Sequence, residues 1–182
     1  MANILQIEDA IIDRLNDRLG EYTDAINASL PPEQAISINV SELPLNPAEI
    51  GVPVSATQIW VAFREESFDP PPTGGVSNPL KPPSQGRRIT YEVIIRGQQL
   101  RLKGHQRIYP ILDKIRDVLS GYMPRDIHTS NGLTKPLFPV KAGFTNMGAG
   151  LWVYSMTFSC TAIYTPPCLL YTSDAADEAY DV

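Results

Sequence analysis

From Leu151 to Tyr164 the sequence LWVYSMTFSCTAIY alternates with period two over fourteen residues. Successive side chains on a strand point to opposite faces, so this pattern predicts one long strand. Trp152, Tyr154, Met156, Phe158, Cys160, Ala162 and Tyr164 share one face. Leu151, Val153, Ser155, Thr157, Ser159 and Thr161 share the other, which is mostly polar. A strand so divided needs neighbours in a sheet and an apolar cover on one side.

Three more alternating segments supply the neighbours. In ISINV, Ile36, Ile38 and Val40 alternate with Ser37 and Asn39; in QIWVAFRE, Ile59, Val61 and Phe63 oppose Trp60 and Arg64. In RITYEVIIR, Ile89, Tyr91, Val93 and Ile95 share a face. LFPVKAGF supplies a further strand, turning at 146–150 into the last one.

Two helical stripes supply the cover. Ile7, Ile11, Leu15, Leu19 and Tyr22 recur on one face of an N-terminal segment, with Asp13, Arg14, Asp17 and Arg18 on the other. Ile108, Leu112, Ile115, Leu119 and Tyr122 form a second stripe. Pro110 is expected in the first turn of this helix, which starts it near Arg107. Gly121 is placed to supply a left-handed cap, and Pro124 forbids continuation. The order is α-β-β-β-α-β-β. Hairpin-like connections predict an α+β fold: a mainly antiparallel sheet of about five strands with two helices packed on one face. The expected core combines Ile7, Ile11, Leu15, Val61, Phe63, Val93, Leu112, Ile115, Leu119, Tyr154, Met156 and Phe158.

One domain is expected over 1–167. Between the second and third strands lies ESFDPPPTGGVSNPLKPPSQGR, with six prolines and no period. A loop of this length suggests a functional segment, here a stiff arm at 65–87 that projects from the sheet. Pro70, Pro71, Pro72, Pro82 and Pro83 are its candidate partner contacts.

The last stretch, 168–182, has no apolar period. Its residues 168–178, CLLYTSDAADE, back-translate in a single frame onto a string resembling the adapter that transposase-based sequencing joins to DNA fragments. An artefactual tail is therefore expected at 168–182 and is left out of fold reasoning. It holds four acids (Asp174, Asp177, Glu178 and Asp181) and no base, so the net charge of −5 becomes −1 without it. Nothing global then favours nucleic acid or a membrane surface. Cys160 is left as a single thiol on an apolar face, a core residue and not a metal ligand or nucleophile.

Catalytic patterns are missing. There is no glycine-rich phosphate loop, GxSxG elbow or paired-cysteine spacing. His105 and His128 lie beside loops without patterned acids or cysteines, and Glu65 and Glu66 point to opposite faces of a strand. The expectation is that the chain is not an enzyme, with no catalytic, metal or cofactor-binding residues and no cofactor. One basic run stands out: RGQQLRLKGHQR carries Arg96, Arg101, Lys103 and Arg107 without an acid. It reads as a solvated loop, or as a patch for an acidic partner or DNA phosphates.

The ordered set IEDAIIDRL, the FRE strand edge, the proline-rich loop, EVIIRG, GHQRIYPILDKIRDVLSGYMP and GLWVYSMTF resembles the Mu-like family of contractile-tail phage tail terminator or tail completion proteins. The helix Y-x-x-L-D-x-I-R-x-x-L-x-G-Y and the strand G-x-W-x-Y-x-M-x-F carry the likeness, over about residues 4–164. The resemblance implies a structural protein of the virion tail, assembled in the host cytoplasm. It implies a ring of copies, a hexamer, on the last ring of the tail tube that ends tube and sheath polymerisation and docks to the neck or connector protein. Its implied partners are itself, the tube, sheath and neck proteins, with DNA only passing through the lumen and no membrane. Phage-derived contractile particles without a head use the same parts. Another neck or tail completion protein of the same fold, and a nucleic-acid-binding module using 96–107, are the alternatives.

Overall fold

The computed structural model describes residues 3–32, 35–44, 56–70, 84–96, 105–125, 132–146 and 152–164. Seven elements follow in the predicted order: α1 (Ile4–Asn27), β1 (Ile38–Glu42), β2 (Thr57–Phe68), β3 (Gln85–Arg96), α2 (His105–Leu119), β4 (Phe138–Asn146) and β5 (Trp152–Tyr164). The sheet runs β1-β2-β3-β5-β4, with β1 and β4 at its edges.

Helix α1 begins at a capping box. The Asn3 side chain accepts from the Leu5 backbone N–H, and the Gln6 side chain returns the bond to the Asn3 N–H. The helix runs through Gly20 to Asn27 because its apolar stripe buries Ile7, Ile11, Leu15 and Leu19 against the sheet. Helix α2 starts at His105, two residues before the expected position, so Pro110 is its sixth residue. Proline there cannot donate to the Gln106 carbonyl. The stripe Ile108, Leu112, Ile115 and Leu119 is buried nonetheless, so tertiary packing outweighs one lost bond. Gly121 ends the helix at φ 78°, and its N–H donates to Leu137 O at 2.9 Å.

Both helices cover the face formed by Ile59, Val61, Ile89, Tyr91, Val93, Ile95, Tyr154, Met156, Phe158 and Cys160, all buried. The predicted core therefore forms, with one correction: Phe63 is 38% exposed. It stays in register with Tyr91, but a β-bulge follows between Phe63 and Glu65. Glu8 of α1 reaches this point and accepts from the Phe63 backbone N–H, so a polar side chain stands where further apolar cover was expected.

Two further corrections concern topology and loop length. β1 pairs with β2 in parallel, so the first connection is a crossover; β2–β3, β3–β5 and β5–β4 are antiparallel. The ladder also takes in residues assigned to the arm: Glu66 opposes Ile89, Ser67 opposes Arg88 and Phe68 opposes Arg87. Arg87 is buried and its Nε donates to Glu66 Oε2 at 2.9 Å. This ion pair, beside buried Cys160 and Tyr91, makes extended pairing worthwhile for otherwise polar residues. The strands part at Asp69, whose N–H donates to Gly86 O; a Cβ at Gly86 would meet the Asp69 carboxylate.

Candidate partner-contact surface

The face opposite the helices is not uniformly solvated. Trp60 and Val153 point to it and are 5% and 4% exposed. Arg96 opposes Gln58 on the same face and is 6% exposed. Burial lowers its guanidinium pKa, and its Nη1 has no hydrogen-bond partner among the described residues. Arg96 was expected in a solvated basic loop; instead it ends β3 inside the fold. The strand pattern pointed to its place at the end of β3, since RITYEVIIR runs to Arg96, but the alternation puts it on the polar face and gave no sign of its burial. The side chains of Arg101, Lys103, Arg107, His105 and His128 lie outside the described residues, as do Pro71, Pro72, Pro82 and Pro83. Pro70 is described and exposed. Of the candidate contacts, Arg96 and Pro70 are thus the ones described, and the expected projection of residues 71–83 and the tail at 168–182 also lie outside what is described.

A different surface emerges at the β4 edge, which residue patterning alone did not single out. Phe138 is 60% exposed, Val140 64% and Phe144 40%. Phe144 packs on Tyr154 with centroids 4.6 Å apart, and Tyr109 of α2 meets Tyr154 edge-on at 6.1 Å. Burial, then the hydrogen bond that the Tyr154 hydroxyl donates to Tyr109, pushes the Tyr154 phenol up to about 12. The result is an aromatic row running from helix to edge strand. Residues 132–146 contain two bases, Lys135 and Lys141, and no acid. The signal available in sequence was the run Phe138, Val140, Phe144 in a strand too polar on its other positions to lie centrally.

The opposite edge has another character. An open groove of about 720 Å³ is lined by Asp9, Ile12 and Asp13 of α1 and by Val40, Ser41, Glu42, Leu43 and Pro44 along β1. Its lining combines the apolar Ile12, Val40, Leu43 and Pro44 with the acids Asp9, Asp13 and Glu42. Glu8 adjoins it; burial raises its carboxyl pKa, and Glu42 and Asp9 push in the same direction. The edge thus concentrates negative charge that no described base neutralises through a salt bridge.

Among the described residues no group of three His, Cys, Asp or Glu could hold a metal ion, and no helix is long and apolar enough to cross a membrane. Cys160 is buried, and burial raises its thiol pKa, which disfavours the nucleophilic thiolate. The model of the Gp37 protein family matches residues 27–167. The chain belongs to the Gp37 protein family. The match takes in every described strand and α2 of this Gp37-family chain, and it ends at residue 167, just before the stretch 168–178 whose back-translation resembles an adapter. No curated protein matches the chain. Among solved structures, it is similar to the sheath/tube terminator of PVC, an extracellular contractile injection system, in the extended state determined by cryo-EM. The identity is 11%, with 91% of this chain and 57% of that chain covered, and the TM-score is 0.44. The Gp37-family chain thus spans little more than half the length of that protein.

Proposed function

We propose that this chain is a structural subunit of a contractile tail, a terminator that forms a ring on the last ring of the tail tube. It ends tube and sheath polymerisation and docks to the neck. The observation that carries this reading is the pair of unlike sheet edges on one subunit. A free apolar edge at β4 and an acidic groove at β1 suit a protein that works by repeated contact with other chains. Membership of the Gp37 family and the ordered motifs shared with Mu-like tail terminators support the same reading.

The partners in this proposal are further copies of itself in a ring of six, the tube protein, the sheath protein and the neck or connector protein. DNA passes through the lumen without being held. The exposed Pro70, with Pro71, Pro72, Pro82 and Pro83, is proposed as part of the contact with tube or neck. Arg101, Lys103 and Arg107 are proposed contacts for an acidic partner surface. Arg96 drops out of that role because it is buried.

The test is particle assembly with the gene deleted. Tubes of uncontrolled length, restored to one length by the purified chain, are the expected outcome. Tubes of normal length joined to no head would instead assign the chain to a neck step, and normal particles would remove it from tail assembly altogether.

A further inference from the structure

We infer that the ring seam is heterologous and specific: the β4 edge of one copy, Phe138, Val140 and Lys141, seats on the groove between α1 and β1 of the next. This rests on the ring reading above and deepens it by naming the two surfaces. A bare strand edge extends a sheet by backbone pairing with another chain. β4 is poorly suited to that. Pro139 lacks an N–H, and a bulge interrupts the register between Pro139 and Lys141. The contact it can make is therefore through side chains, and those are unusually apolar. Phe138 and Val140 are both more than half exposed, on a strand end that carries no acid.

The complementary surface lies on the same chain, at the far end of the sheet. The apolar lining of Ile12, Val40 and Leu43 suits apolar side chains, and the lining acids Asp9, Asp13 and Glu42 suit a cation. Lys141 is exposed beside Phe138 and Val140, so one edge offers the apolar-plus-cationic set that the other lacks. Burial and the neighbouring acids Glu42 and Asp9 make Glu8 harder to ionise, a burden that an arriving ammonium relieves. The two surfaces sit on opposite edges of one sheet, β1 and β4, so neither can meet its complement within a subunit. Joining unlike patches head to tail generates a ring when the rotation closes. A second copy of this chain is thus the occupant that matches both the charge and the apolar character of the groove.

Charge reversal tests the seam. One variant is Lys141→Glu; the other combines Asp13→Lys with Glu42→Lys. All three residues are exposed, so melting curves should show both proteins folded. The association constant, measured by sedimentation over a concentration series, should fall at least about tenfold for each variant alone, because like charges then meet at every seam. Mixed in equal amounts, the two variants should recover wild-type association, since each reversed surface finds its opposite on the other chain. Should the acid-side variant fail to fold, Phe138→Ser with Val140→Ser carries the test, with loss of association expected.

If wild type assembles and the folded variants assemble equally well, or the mixture does not recover, the seam is wrong while the ring stands. If the variants associate normally but no longer cap tubes, the β4 edge faces another tail component and the seam is overturned. A wild-type chain that stays monomeric in solution and on tube ends removes the ring and the seam together.

Discussion

The hydroxyl of Tyr91 donates to the backbone carbonyl of Ile4 at 2.9 Å, across 87 positions of sequence. Tyr91 is fully buried in the central strand β3, and Ile4 opens α1. One bond therefore ties the start of the covering helix to the middle of the sheet. Tyr122 repeats the device from the end of α2, donating to Ala10 O at 3.2 Å, with Arg14 stacked over its ring at 5.2 Å. In Tyr91→Phe the ring stays and the bond goes, leaving the Ile4 carbonyl one donor short. A loss of about 1 kcal/mol in urea unfolding is expected. An unchanged midpoint would mean that water replaces the hydroxyl.

The same tyrosines give an alkaline limit to stability. Burial raises the phenol pKa of Tyr91 and Tyr122, and it raises Tyr154 to about 12. The folded state therefore holds their protons more tightly than the unfolded chain does. Their contribution is complete below the unfolded value of about 10 and is lost as pH rises above it. The melting temperature should fall steeply between roughly pH 10 and 12. Tyr91→Phe should flatten that slope; an identical slope would assign the alkaline transition to other groups.

Glu8 gives a second linkage with a different window. Its carboxyl is raised by burial, then by Glu42, so the folded protein prefers it protonated. Relative stability is complete below the unfolded carboxyl value and is lost as pH rises through the folded one. Glu8→Gln keeps an acceptor for the Phe63 N–H and removes the charge. The variant should melt higher than wild type at pH 7, with the gap closing as pH falls toward 4. A gap independent of pH would refute the electrostatic account.

Packing of helix on sheet is tested at Ile115. It is fully buried on α2 within the central core cluster. Ile115→Ala should cost on the order of 2–5 kcal/mol by urea or thermal unfolding. A melting point within error of wild type would mean that α2 does not cover the sheet there.

The root of the proline-rich loop is tested at Glu66. Removing its carboxylate takes the Glu66 ion pair from the Arg87 guanidinium, 9% exposed. Glu66→Ala should cost roughly 3 kcal/mol, because a largely buried charge loses part of its compensation. Glu66→Leu combined with Arg87→Met should recover much of that loss. Equal destabilisation by the single and double changes would assign the effect to packing.

Period and punctuation in the sequence sufficed for the elements themselves. The spacing of Ile7, Ile11, Leu15 and Leu19 admits only a helix, the alternation of 151–164 only a strand, and Gly121 before Pro124 only a stop, because each depends on backbone geometry within a few residues. What the chain could not state locally was decided between distant segments. That β1 lies parallel to β2, and that β5 enters between β3 and β4, depends on which apolar faces the two helices can cover together. The bulge after Phe63, and the burial of Arg96 at the end of β3, arise where elements meet. So does the placing of an acidic groove and an apolar, basic strand at opposite edges of one sheet. Asp9, Glu42 and Lys141 are unremarkable surface charges in sequence; they acquire opposed positions only when strand order sets β1 and β4 furthest apart.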